Sequence, residues 1–172
     1  MKKLGLALAA VALPGVASAQ AAKQCVTTAQ LHSTALFAAP QLIRTIGNRC
    51  AGQLAADAYL RSSGASLAAR YDQAATAAWP TVKTLANAVP DLRPLALLDA
   101  KAAQTLLGGI VDDQIGKRGL KTGDCSAISD VLAALDPLPP ENMANLIVAF
   151  VKFGVADDRR KGKKADWLCP TA

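Results

Sequence analysis

Apolar positions recur at three- and four-residue intervals along most of the chain, and β-branched alternation in steps of two does not occur. The first such stretch predicts a short helix over about 29–38, with Thr27 or Thr28 as its N-cap and Pro40 ending it or opening the next. A longer helix is expected over about 41–61, because Leu42, Ile43, Ile46, Cys50 and Leu54 fall on one face. Ser62-Ser63-Gly64 is its stop signal. A third helix begins near Ser66 and carries Leu67, Tyr71, Ala74 and Ala78, and Pro80 kinks it or divides it from a piece with Val82, Leu85 and Val89. Pro90 and Pro94 bracket a short link. A fourth helix over about 95–107 is ended or bent by Gly108-Gly109.

The next stretch, IVDDQIGKRGLKTGD, reads as a helical turn or two running into a polar loop. Asp124 or Ser126 then caps a helix to Leu135, and DPLPP makes a corner with Pro140 at the first helical position. The final helix, about 141–156, is apolar almost all round, with Met143, Leu146, Ile147, Val148, Phe150, Val151 and Phe153. That pattern predicts a place in the middle of the core. Together these segments predict an all-α fold, a compact bundle of five to seven helices. Leu-Ala-Ala recurs at 54–56, 67–69 and 132–134, but the intervals are uneven, and composition explains it better than a solenoid.

The N-terminal residues differ from the rest. Lys2 and Lys3 precede an apolar run from Leu4 to Leu13, Pro14-Gly15 breaks it, and Ala17-Ser18-Ala19 suits a signal peptidase. The run is about half the length a spanning helix needs. The expectation is a cleaved signal peptide at 1–19 and a single domain at 20–172, in a periplasmic or secreted protein with no membrane span in the mature chain. The Lys-Lys start and the abundance of alanine suggest bacterial export. Two of the 19 basic residues leave with the leader, which takes the formal net charge from +6 to +4.

Export changes how the cysteines read. Cys25, Cys50, Cys125 and Cys169 are even in number and lack any C-x-x-C or zinc-like spacing, so two disulfides are expected. With a hairpin corner near Ala39, Cys25 and Cys50 come level on antiparallel helices, and a folded-back tail brings Cys169 to Cys125. The expected pairs are therefore Cys25–Cys50 and Cys125–Cys169.

Few motifs point to chemistry. Gly109 to Arg118 has six residues between its glycines where a phosphate-binding loop has four, and no strand precedes it. No G-x-S-x-G or S-x-x-K occurs, and the single histidine, His32, reads as a packing residue on the first helix. No metal site or cofactor is expected: Glu141 is the one glutamate, and Asp112, Asp113 and Asp124 share their loop with Lys117, Arg118 and Lys121. A carboxylate enzyme would draw on Asp57, Asp72, Asp91, Asp99 or Asp112, each equally explained by exposure. Seven aromatic residues leave little from which to build a sugar platform.

The charge is local. The window 152–166 holds six basic residues and three acidic ones, and Arg159, Arg160, Lys161, Lys163 and Lys164 lie within six positions, followed by Trp167. These six residues are the candidate site for an anionic partner such as lipid head groups or envelope polysaccharide, and export argues against nucleic acid. The simpler account is a solvated connector to Cys169, with Trp167 packed on the core. The functional expectation is a non-enzymatic exported protein that binds a protein or anionic envelope partner. The alternatives are a small aspartate-dependent hydrolase or lyase, and a carrier with an apolar cavity between alanine-lined helices.

Overall fold

The computed structural model describes residues 25–170. The leader and its expected cleavage after Ala19 lie outside the described residues. Within them the protein is all helical, with seven α-helices and two disulfides. The helices are α1 (Thr28–Cys50), α2 (Tyr59–Ser62), α3 (Gly64–Ala88), α4 (Arg93–Ala96), α5 (Ala100–Arg118), α6 (Thr122–Leu135) and α7 (Pro140–Arg160). A 3-10 turn at Pro90–Leu92 leads into α4.

Helix α1 is the central strut. Thr27 caps it, accepting from the Gln30 N–H at 3.2 Å, while Gln30 Oε1 accepts from the Thr27 N–H at 2.8 Å. Pro40 does not end it. The helix runs unbroken for 23 residues from Thr28 to Cys50, and the Pro40 ring is fully buried within the bundle. Burial of the ring and packing on both sides offset the one backbone bond that proline removes. Pro80 is likewise carried inside α3, which packs along α1 more extensively than any other element.

The continuity of α1 overturns the expected disulfides. Cys25 and Cys50 lie beyond and at opposite ends of a helix of 23 residues, about 34 Å long at 1.5 Å per residue. No corner exists to bring them level. The observed bridges are Cys25–Cys169 and Cys50–Cys125, with Cα–Cα distances of 4.9 and 5.5 Å. Cys169 therefore meets the start of α1 instead of the start of α6.

Helix α5 also runs further than the pattern suggests, through Gly108-Gly109 and on to Arg118. Its three glycines, Gly108, Gly109 and Gly116, cost it about 1 kcal/mol each against alanine, but the first and last of them fit the packing. A Cβ at Gly108 would lie 3.1 Å from Gln41 Oε1, and one at Gly116 would lie 2.9 Å from Arg49 Nη2. Midway between them, Asp112 takes two hydrogen bonds from the Arg49 side chain, both at 2.7 Å. Gly108, Asp112 and Gly116 are spaced four apart, so the segment read as a loop is the seam by which α5 sits close on α1.

Among the described residues the interior has three centres. Ile43, Leu60, Leu67, Tyr71, Met143 and the Cys50–Cys125 bridge form one. Phe37, Trp79, Val82, Ala103 and Ala144 form the second, where the Phe37 and Trp79 rings stack with centroids 5.0 Å apart. Val155, Ala165 and Leu168 form a small third centre against Leu31 and Val151. Helix α7 is not the central helix its composition suggests. Its buried residues are Met143, Ala144, Val148 and Val155, whereas Phe150 and Phe153 are 68% and 69% exposed.

Candidate functional site

Helices α6 and α7 are consecutive, yet they hardly touch after their corner. Three ties instead draw α6 toward α2 and the parts of α1 and α3 beside it. Cys125, in its first turn, is bonded to Cys50. Ser129 accepts a hydrogen bond from the Leu60 N–H at 3.1 Å. At its C-terminus the Asp136 carboxylate accepts from Tyr59 and from Arg70, and Arg70 also reaches the Asp136 carbonyl at 2.9 Å. With α6 leaning one way and α7 packed along α1, an apolar cleft opens over the α1 surface between them.

Side chains from four helices line the cleft. Its main chamber, the one lined by more residues, has a volume of about 290 Å³, with Ala35, Ala38, Leu42 and Ile43 of α1 as its floor and Leu67 and Tyr71 of α3, Leu132 of α6 and Met143 and Ile147 of α7 around it. A second chamber of about 340 Å³ shares Leu42, Ile43 and Leu132 with the first and extends it past Ile128 and Val131. Thr34 also lines the main chamber, and its hydroxyl already donates to the Gln30 carbonyl at 2.8 Å. Burial raises the pKa of Tyr71 above its usual value, so its ring enters the cleft wall as a neutral group. No charged side chain lines either chamber.

The basic tail is organised differently from the expected open patch. Arg159 is a clamp: its Nη2 donates to the carbonyls of Ala165 and Leu168, at 3.0 and 2.7 Å. Arg160 and Lys161 both pair with Asp157, at 3.3 and 2.5 Å, and Lys163 pairs with Asp158 at 2.9 Å. Lys164 is exposed. Trp167 does not pack on the core and remains 48% exposed. Ala165 and Leu168 are the buried anchors instead, and the backbone of Trp167 and Cys169 exchanges hydrogen bonds with Val26. The five cations are thus brought together, but one braces the tail and three lie in exposed ion pairs, each worth about 0–1 kcal/mol.

The aspartates are dispersed. Asp72 accepts from Arg44 through both oxygens, at 2.9 and 2.7 Å, in a polar hollow of about 470 Å³ that holds no second carboxylate. The Arg49 hydrogen bond holds the Asp112 carboxyl below its usual value, opposite to the shift a general acid needs. Asp99 caps α5, accepting from the Ala102 N–H. Asp57 and Asp91 are exposed. His32 Nε2 lies 3.3 Å from the Glu141 carbonyl, which can only accept, so the ring donates and links α1 to the start of α7. Among the described residues no three His, Cys, Asp or Glu side chains gather as metal ligands, and no helix is long and apolar enough to cross a membrane.

The cleft was the feature least visible in the sequence. Leu42, Ile43 and Ile46 signalled an apolar face on α1, whereas the face of α6 at Ile128, Val131 and Leu132 was not singled out. Which helix would cover which face was not written in either pattern. Compared with known protein families, curated proteins and solved structures, the chain matches none.

Proposed function

We propose that this chain is an exported, non-enzymatic binding protein whose guest is a hydrocarbon chain, held in the cleft between α1, α6 and α7. One observation carries the reading: two adjoining chambers, built from four helices, present an apolar surface in which only Thr34, already hydrogen-bonded, and Tyr71 carry a hydroxyl. A guest here finds almost no donor or acceptor, and no charge. An extended peptide would bury unpaired amides, at about 1–3 kcal/mol for each group. A hydrocarbon chain brings no such group and gains about 0.8 kcal/mol for each buried methylene. The chamber volumes also lie near the lower end of the range common for small-ligand sites.

Among the expected partners, an anionic amphiphile fits best, with its chain in the cleft and its head outside. Leu31 supports that orientation, since it lines the main chamber and also packs against the small core beneath the basic tail. The two disulfides agree with an oxidising compartment.

The test is titration of the delipidated protein with a fluorescent long-chain fatty acid. Saturable binding is expected in wild type. Ala38→Phe, which fills the main chamber from its floor, should abolish it while the helical spectrum and both disulfides persist. Equal binding by wild type and Ala38→Phe, or no binding by wild type, would overturn the proposal.

A further inference from the structure

Helix α7 carries a second apolar surface, outside the cleft. Leu146, Phe150 and Phe153 are spaced four and three apart and so share one face. With Ala149 they border a shallow hollow of about 320 Å³. Phe150 and Phe153 are 68% and 69% exposed, although this helix offers Ala144 and Val148 to the core. Exposed aromatics on a well-packed helix mark a contact surface more than a folding need.

The same face changes character along its length. Seven residues beyond Phe153, two turns on, stands Arg160, and Lys161, Lys163 and Lys164 follow. One stripe therefore runs from phenyl rings through Asp157 to Arg160 at the end of α7, and the three exposed lysines stand in the turn that follows the helix. Asp157 and Asp158 pair with three of those cations, yet Arg159 to Lys164 still bring five positive charges against three negative ones in Asp157, Asp158 and Asp166. A second copy of this chain would set cation against cation if the stripes paired side by side in the same direction. An anionic bilayer accepts both halves at once, with rings below the head groups and cations among them.

We propose that the outer face of α7 at Leu146, Phe150, Phe153 and Arg160, together with the exposed Lys161, Lys163 and Lys164 just beyond its end, docks on an anionic lipid surface. Ile147, one turn from Phe150, lines the cleft, so docking sets the cleft beside the lipid. The docking face stands independently of the cleft's guest, because neither Phe150 nor Phe153 lines either chamber.

Flotation of the mature protein separates the outcomes. The vesicles are phosphatidylcholine alone, or equal parts phosphatidylcholine and phosphatidylglycerol. Wild type is expected to float with the mixed vesicles and to bind phosphatidylcholine at least about tenfold more weakly. Phe150→Ser/Phe153→Ser should lose about tenfold or more in binding to the mixed vesicles. Arg160→Gln/Lys161→Gln/Lys163→Gln/Lys164→Gln should lose its sensitivity to salt. A Phe153→Trp variant, which keeps an aromatic ring at this position, should be quenched by brominated lipid even if the serine variants misfold. The proposal is overturned if wild type does not float, if the serine variant floats equally well, or if Phe153→Trp is not quenched. It is overturned in favour of a homodimer if the serine substitutions turn a dimer into a monomer and wild type ignores both vesicles. Fatty-acid binding without vesicles reads the cleft alone, so either proposal can fail without the other.

Discussion

The α-carbons of Cys25 and Cys169 lie 4.9 Å apart across 144 residues of sequence, so this bridge closes the described chain almost end to end. It does not act alone. Val26 donates to the Trp167 carbonyl at 2.7 Å and accepts from the Cys169 N–H at 3.0 Å, which lays the tail alongside the start of α1. The second bridge spans 75 residues and pins α6 to the end of α1. In the loop-entropy account these closures are worth about 5 and about 4.5 kcal/mol.

Non-reducing peptide mapping should find the pairs 25–169 and 50–125, and none joining Cys25 to Cys50. The two should also differ in reactivity. Cys50 and Cys125 are 0% exposed, whereas Cys25 and Cys169 are only half-buried. Thiol exchange needs access to sulfur, so a mild reductant should open Cys25–Cys169 first in the folded protein. Equal rates would mean that both bonds open only through global unfolding.

Arg159 tests the tail. Replacing it by alanine leaves the carbonyls of the buried Ala165 and Leu168 without their charged donor. Hydrogen bonds to a charged group contribute about 1.5–3 kcal/mol each when desolvated; Arg159 is itself exposed, which discounts the pair for solvent screening, so Arg159→Ala should lower unfolding free energy by about 2–4 kcal/mol in a denaturant titration. It should also speed reduction of Cys25–Cys169 more than that of Cys50–Cys125. Arg160→Ala breaks an exposed ion pair and should change stability by less than about 1 kcal/mol.

The glycines of α5 give opposed expectations. At Gly109 an added Cβ meets nothing within 4 Å. Gly109→Ala should therefore stabilise the protein by about 0.5–1 kcal/mol, measured by thermal denaturation. At Gly116 the Cβ would sit 2.9 Å from Arg49 Nη2, and Arg49 is held by both oxygens of Asp112. Gly116→Ala should gain less, or lose stability, and Arg49→Ala should restore the gain in a double-mutant cycle.

Tyr59 sets an alkaline limit. Burial first, and then its hydrogen bond to Asp136, push its pKa from 10.0 up to about 12. A pKa raised on folding means the neutral form is the one the fold prefers. The contribution is complete below pH 10.0 and is lost as pH rises from there through about 12. Thermal stability should fall across that window. Tyr71, raised by burial, adds a fall in the same direction. The part due to Tyr59 is the difference from Tyr59→Phe, which should show a shallower decline. An unchanged slope in Tyr59→Phe would remove Tyr59 from the account.

Much of the architecture was legible because helix formation is local. Thr27 and Gln30 form a capping box within one turn, Pro140 sits at the first position of α7, and a spacing of three and four marks the buried face of α1 at Ile43 and Cys50. Such signals depend on neighbours along the chain, which a sequence records directly. The charge cluster at 159–164 was equally plain, although its division into a clamp and ion pairs was not.

The sequence by itself determined an all-helical chain with four cysteines set for cross-linking. Only the tertiary structure decided which cysteines met, which glycines would be helical and where the apolar surface would stay open. The reason is that each of these depends on burial against distant residues. A proline or glycine breaks an isolated helix, but Pro40 and Gly116 persist because α1 gains packing around its ring and α5 gains a close approach to Arg49. Once α1 runs unbroken, the ends of a rigid rod cannot meet, which excludes a Cys25–Cys50 bridge, and packing between distant helices decides the observed pairs, the lean of α6 and the cleft beside it.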